Sequence, residues 1–187
     1  MPKVGMEKLR RRQLIEATIK IVGEHGYADT TISKIASEAG LSVGIISHYF
    51  GGKDELLQAT MWHLMCDLQQ QMVARRSRCD QALDRINATV EVIFSAEQSD
   101  VYVVNAWLSF WAQVPFSEAL FRLQKVYERR LLSNLRYDLS QLYDRRTSLE
   151  VASTLAVLID GYWLRSVLAA VDPSPAIAKD LLAKALP

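Results

Sequence analysis

The stretch Thr31-Ile32-Ser33-Lys34-Ile35-Ala36-Ser37-Glu38-Ala39-Gly40-Leu41-Ser42-Val43-Gly44-Ile45-Ile46-Ser47-His48-Tyr49-Phe50 decides how the rest of the chain is read. It holds two short helical patterns with a glycine between them. Thr31 reads as the N-cap of the first, about 32–39, with Ile32, Ile35 and Ala36 facing inward. Ser42 reads as the cap of the second, about 43–49, in which Ile46 and Phe50 stand one turn apart. Two helices that cross closely need a small side chain at the crossing, and Ala36 supplies it. The turn needs a residue that accepts positive φ, and Gly40 supplies that. Once Leu41, Ile46 and Phe50 lock the second helix onto the first, Val43, Gly44, Ser47 and His48 are left to project. That is the geometry of a helix-turn-helix, whose second helix enters a major groove and meets base edges. Small Gly44 and Ser47 let the helix approach the bases. Around it, the hydroxyls of Thr31, Ser33 and Ser42, the phenol of Tyr49 and the ammonium of Lys53 are candidate DNA contacts, helped by free N–H groups at helix starts. Arg10, Arg11 and Arg12 are expected to reach the DNA backbone or a minor groove.

Outward from this segment the pattern stays helical. A first helix is expected over 8–25, with Leu14, Ile15, Thr18, Ile19 and Val22 near one face and Gly26 as its stop. Gly51-Gly52 breaks the reading helix, and a long fourth helix runs from about Lys53 to Arg78. Further helices are expected over about 81–95, 101–112, 116–142, 148–170 and 174–186, with Pro115 separating two of them. Thr147-Ser148-Leu149-Glu150 matches a capping box. Asp172-Pro173-Ser174-Pro175 reads as a turn that starts the last helix. The sequence therefore predicts an all-α fold of about nine helices. Residues 1–53 form a three-helix, helix-turn-helix DNA-binding domain, and 54–187 form a helical bundle for ligand binding and dimerisation.

Composition narrows the function. Of 187 residues, 50% are hydrophobic and 23% charged, which marks a globular chain. No apolar run reaches the roughly 18 residues of a membrane-spanning segment. The basic start lacks an apolar signal core, so no export signal is expected. Cys66 and Cys79 make no disulfide framework, which suits a reduced, cytoplasmic protein. Residues 1–53 carry eight Lys and Arg against five acids, net +3, while the remainder carries fourteen against sixteen, net −2. A basic head on a mildly acidic body suits an anionic partner for the head. His25, His48 and His63 show no metal spacing. His63 and Asp67 stand one turn apart, but two ligands make no site. Neither a phosphate-binding glycine loop after a strand nor a nucleophile elbow is present. An enzyme, a cofactor and a bound metal are not expected.

The whole chain resembles the TetR family of transcriptional regulators. The resemblance is carried by Gly40-Leu41-Ser42-Val43-Gly44, the Tyr49-Phe50 pair and Lys53 three residues on. It extends to the BetI branch through Arg10-Arg11-Arg12-Gln13-Leu14-Ile15, Ala106-Trp107-Leu108-Ser109-Phe110-Trp111, Arg129-Arg130-Leu131-Leu132-Ser133-Asn134-Leu135 and Ile159-Asp160-Gly161-Tyr162-Trp163-Leu164-Arg165, with the opening Met1-Pro2-Lys3-Val4-Gly5-Met6. The resemblance implies a dimeric repressor of choline-to-glycine-betaine genes, with choline or a similar quaternary ammonium as effector. Two departures stand out: Ser47 replaces a common Tyr, and Gly52 replaces a frequent Ser cap before Lys53.

A quaternary ammonium has no N–H to donate, so aromatic faces hold it best, each contact worth about 0.5–2 kcal/mol, with a carboxylate nearby. Trp107, Trp111, Phe121, Tyr127 and Trp163 supply faces, and Asp160 or Glu91 supplies charge. The same aromatics at helical spacing also suit an ordinary core, and Asp160 can equally pair with Arg165. The helix over 148–170 is apolar on more than one face, through Val151, Leu155, Leu158, Ile159, Tyr162, Trp163, Val167 and Leu168. A helix apolar on two sides is buried on two sides, which predicts a homodimer through the last two helices. Ile177, Leu181 and Leu182 add to it. The competing readings are a repressor of the same type with another small-molecule effector, a helical enzyme, and a scaffold acting through a protein partner.

Overall fold

The computed structural model describes residues 4–171 and 173–187, so part of the opening hexapeptide and Asp172 of the 172–175 turn lie outside the described residues. Among the described residues there are nine α-helices and no strand: α1 (Val4–His25), α2 (Ile32–Glu38), α3 (Val43–Phe50), α4 (Lys53–Arg76), α5 (Ala82–Ile93), α6 (Val101–Gln113), α7 (Glu118–Leu139), α8 (Arg145–Leu168) and α9 (Pro175–Ala185). A single 3-10 turn, Val114–Phe116, precedes α7, as Pro115 requires. The all-α expectation and the order of helices stand.

Two boundaries move for local reasons. The helix α1 begins a turn before residue 8, at Val4, and takes Gly5 into its first turn. The capping box at Thr147 to Glu150 is not formed. Asp144 caps α8 instead, accepting from the N–H groups of Arg146 at 2.8 Å and Thr147 at 3.1 Å, and from the Thr147 hydroxyl at 2.7 Å. An aspartate one turn upstream takes the free donors first, and its negative charge also suits the helix start.

The chain forms two compact units. The first contains residues up to Cys66 together with Asp100–Gln124; the second contains Asp67–Ser99 and Lys125–Pro187. In the first, Leu14, Ala17 and Ile21 of α1 pack with Ile35 and Ala36 of α2, Ile46 and Phe50 of α3, and Leu56 of α4. Helix α6 is the other close neighbour of α1. Gly23 sits where they cross: a Cβ there would lie 2.7 Å from Tyr102 Cα and 2.8 Å from the Tyr102 carbonyl oxygen. Asn105 Nδ2 donates to the Gly23 carbonyl at 3.0 Å, and the Tyr27 ring meets Phe110 edge-on.

The second unit has an apolar interior that includes Ile86, Val90, Leu131, Leu135, Ala152, Leu155 and Ile159. One charge is embedded in it. Asp138 of α7 is 0% exposed and accepts from Arg76 Nη1 at 2.7 Å and from Arg85 Nε at 2.6 Å, tying the end of α4 to α5 and α7. Arg76 also donates to Thr89 Oγ1 and to the Arg85 carbonyl, so the buried ions are hydrogen-bonded as well as paired. Helix α8 has two apolar faces. Val151, Leu155, Ile159 and Trp163 are buried, whereas Val157 is 71% and Leu168 72% exposed, in one stripe with Gly161 and Leu164. By length and composition α8 could cross a membrane, but its apolar residues divide between the unit's interior and this open stripe.

Candidate nucleic-acid interface and effector residues

The helix-turn-helix is assembled by the residues that the turn chemistry requires. Thr31 caps α2, its hydroxyl accepting from the Lys34 N–H at 3.2 Å. Gly40 adopts φ +64°, and the Leu41 N–H closes the turn onto the Ala36 carbonyl at 2.9 Å. Ser42 occupies the cap position of α3, yet its hydroxyl makes no cap hydrogen bond, which corrects the expectation that it caps through its side chain. That hydroxyl is exposed at a helix start instead. On α3, Ile46 and Phe50 are buried while Val43, Gly44, Ser47 and His48 are exposed. Beyond α3's own neighbouring backbone, no atom lies within 4 Å of where a Cβ on Gly44 would stand, so the front of α3 is unobstructed. Ser33 and Thr31 are exposed on the neighbouring α2. Tyr49 is half-buried, its ring 4.8 Å from that of His48.

Several cations expected to be at the DNA's disposal have intramolecular work. Arg11 donates to the Tyr49 carbonyl, and its guanidinium lies 4.2 Å over the Phe50 ring, so it anchors the end of α3. Arg10 donates to Gln13 and Arg12 pairs with Glu16 along α1. The Arg10–Arg12 expectation is corrected accordingly for Arg11, which no spacing argument could assign across 38 residues. Lys53 reaches back to the Tyr27 carbonyl at 3.4 Å and sits 5.6 Å from the Tyr27 ring centroid. Lys20 pairs with Glu38 at 2.7 Å, fixing α2 against α1. Tyr27, Lys20 and Glu38 therefore position the motif, though the sequence singled out none of them for this.

The candidate effector residues fall in both units. In the first, Trp107 is buried on α6 and Trp111 is half-buried, with ring centroids 6.2 Å apart at 57°. The Trp111 indole N–H donates to Gln124 Oε1 at 3.1 Å. Phe121, on the first turn of α7, is exposed. In the second unit, the Tyr127 hydroxyl donates to Asp160 Oδ1 at 3.3 Å. Burial lifts the Asp160 carboxyl to about 6; the Tyr127 hydrogen bond opposes the rise and the negative Glu128 adds to it. Burial also raises the Tyr127 phenol well above its usual range, with the charge of Asp160 acting in the same direction. Among the described residues no Lys or Arg forms an ion pair with Asp160, so the expected alternative of an Arg165 partner is not realised. Trp163 is buried three residues on. A half-buried carboxylate whose hydrogen-bond partner among the described residues is a phenol is electrostatically suited to a cation. Glu91 is different: it accepts from Lys179 and from Arg75, and it lies outside this cluster.

Residues 14–60 match the profile of the bacterial regulatory proteins of the tetR family, and residues 82–187 match that of the BetI-type transcriptional repressor C-terminal domain. The HTH-type transcriptional regulator BetI of Brucella anthropi is 44% identical over 178 residues, covering 95% of this chain and 92% of the relative. The regulator of the same name from Paraburkholderia xenovorans is 46% identical over 170 residues, covering 90% and 87%. Among solved structures, a transcriptional regulator from Pseudomonas aeruginosa PAO1 aligns with a TM-score of 0.84 at 29% identity, covering 95% of this chain and 88% of that one. A transcriptional regulator from Saccharomonospora viridis in complex with choline aligns with a TM-score of 0.78 at 21% identity, covering 93% of each chain.

Proposed function

The chain belongs to the TetR family of transcriptional regulators and carries a BetI-type C-terminal domain, and on that premise we propose that it acts as a dimeric repressor of choline-to-glycine-betaine genes, with choline or a similar quaternary ammonium as effector. The family is one of transcriptional regulators rather than enzymes. The observation that carries the DNA reading is the two-sidedness of α3: Ile46 and Phe50 inside, Val43, Gly44, Ser47 and His48 outside with open space before Gly44. Base contacts come from this front, and Thr31, Ser33, Ser42, Tyr49 and Lys53 hold phosphates around it. Residues 1–53 act as the DNA head and 54–187 as the effector and dimer body, and the protein works in the cytoplasm.

For the effector, Asp160 supplies charge, and Trp107, Trp111, Phe121, Tyr127 and Trp163 supply aromatic faces. Choline binding by the structural neighbour supports this choice of ligand class. Dimerisation is supported by the open stripe of Val157, Gly161, Leu164 and Leu168 on α8 together with Ile177 on α9. A partner's α8 and α9 would cover it, and two heads would then read half-sites about 34–36 Å apart or further. Val157→Arg should therefore turn the dimer into monomer by sedimentation.

The deciding experiment is a gel shift on DNA from upstream of the gene itself, with competitor DNA and fixed salt, since phosphate contacts make affinity fall steeply with ionic strength. Specific binding that choline weakens, and that its uncharged carbon isostere leaves alone, supports the whole reading. Specific binding indifferent to choline keeps the repressor and rejects the effector.

A further inference from the structure

A second cluster of charge lies in the 67–99 and 125–187 unit, away from Asp160 and Tyr127 along the sequence and outside the effector set. It lines a groove of about 740 Å³ walled by Gln71, Ala74, Arg75 and Arg78 of the α4 end, Glu91, Val92, Ser95 and Glu97 of α5 and its following turn, and Pro175 of α9. Gln71, Ala74 and Arg75 stand at three- and four-residue steps on one face of α4, and Arg78 follows in the turn after it. The volume is in the range of small-molecule sites, about 300–1,000 Å³.

The hydrogen bonds inside the groove show which groups are spent. Glu91 is saturated, one carboxylate oxygen taking Lys179 and the other taking Arg75 through Nε at 2.9 Å and through Nη2. Glu97 is held by its own backbone N–H and by the Ser95 hydroxyl, which keep its carboxyl below the usual range. Gln71 uses its amide N–H on Asp67 at 2.7 Å, leaving its carbonyl oxygen. Arg78 makes no side-chain hydrogen bond among the described residues, and Arg75 retains Nη1. The unspent chemistry is therefore a guanidinium with its donors, the last donor of a second guanidinium and one amide acceptor, set against the negative charge that Glu97 keeps at the groove's edge. The walls are also fixed in advance: Arg76, between Arg75 and Arg78, turns away into Asp138, which sets the register of the last turn of α4.

We propose that this groove is a second small-molecule site, taking an anionic metabolite that presents a carboxylate or phosphate to Arg78 and Arg75 and a hydroxyl or amine to Gln71. Planar guanidinium forks match both oxyanions bidentately. An occupant would tie the end of α4 to α5 and α9 more firmly than the Arg75–Glu91–Lys179 cluster alone. The proposal is independent of the identity of the effector.

The test is isothermal titration calorimetry of the full chain with inorganic pyrophosphate and, separately, with citrate, at ionic strength held constant with sodium chloride. Saturable binding of either is expected; pyrophosphate alone marks a phosphate site and citrate alone a carboxylate site. Arg78→Gln should weaken binding about tenfold or more, the effect of losing charge-assisted hydrogen bonds. Arg122→Gln, an exposed arginine on the first turns of α7, should leave it unchanged. Thermal unfolding of ligand-free Arg78→Gln should match the parent, since Arg78 holds nothing in place. The proposal is overturned if neither anion saturates, if Arg78→Gln binds as the parent does, or if Arg122→Gln loses as much.

Discussion

Gly23→Ala is a small change whose sign is decided by two opposing magnitudes. Gly23 lies in the last turns of α1, where alanine gains about 1 kcal/mol over glycine in helix propensity. Against that stands a Cβ placed 2.7 Å from Tyr102 Cα and 2.8 Å from the Tyr102 carbonyl oxygen. Both are backbone atoms of α6, so no side chain can swing aside. Overpacking costs about 1–3 kcal/mol, and a clash with backbone belongs at the upper end of that range. The clash wins by about 1–2 kcal/mol, which for a domain of this size lowers Tm by about 2–8 °C. The Asn105 hydrogen bond to the Gly23 carbonyl, made at the same crossing, weakens with it. Differential scanning calorimetry at fixed protein concentration measures the shift, since self-association of the kind proposed makes Tm depend on concentration. A Tm equal to or above the parent's would refute the close crossing of α1 and α6 at Gly23.

Gly44→Ala makes the complementary case: nothing lies within 4 Å of the new Cβ, so stability should rise by about 1 kcal/mol in urea unfolding. On the proposed DNA reading, operator affinity should fall in the same variant, because the methyl group would stand where α3 is proposed to meet the bases; unchanged affinity would remove Gly44 from the interface. Asp138→Asn strips the shared partner from Arg76 and Arg85 and should cost about 3 kcal/mol, the lower end for a broken buried pair because both arginines retain some solvent; a loss under about 1 kcal/mol in urea unfolding contradicts that account. Asp160 titrates near 6, above the unfolded range of about 4, so its contribution to stability declines as pH rises from about 4 through 6. A cation needs the ionised form, so choline affinity by calorimetry should be level above pH 7 and weaken by up to about tenfold per unit below 6. Asp160→Asn should bind weakly with no such slope, and the same slope in that variant would move the titration to another group.

The helix-turn-helix was legible because its signals are local. Gly40 must take positive φ, Thr31 must cap, and the spacing of Ile35, Ala36, Ile46 and Phe50 admits one inward face. Where two local signals compete, the sequence alone misleads. Thr147 to Glu150 fits a capping box, but Asp144 also fits a cap, and a helix started at Asp144 already takes the N–H groups of Arg146 and Thr147. Contacts distant in sequence were not legible at all. Arg11 reads as a phosphate contact beside Arg10 and Arg12, and only the fold brings it to Tyr49 and Phe50. Glu91 and Asp160 look equivalent as carboxylates. The difference is that α9 brings Lys179 to Glu91, whereas Asp160 meets a phenol and burial.

The contacts of α1 bear on how the reading helix is held. Arg11 grips the end of α3, Lys20 holds α2 through Glu38, and Gly23 lets α6 approach until the backbones touch. These contacts are spread along one helix, so α1 is the common support of both halves of the helix-turn-helix and of α6. Since Trp107 and Trp111 ride on α6, a ligand touching them acts on the same compact unit that presents Val43 to His48. At Gly23 the contact is backbone against backbone, so a rotation of α6 would press directly on α1. The polar ties at Arg11 and Lys20 would then link that movement to α3 and α2. A rigid crossing at one end and adjustable ion and hydrogen-bond contacts at the other give the proposed effector a route to the exposed face of α3 that would leave the core of the unit folded.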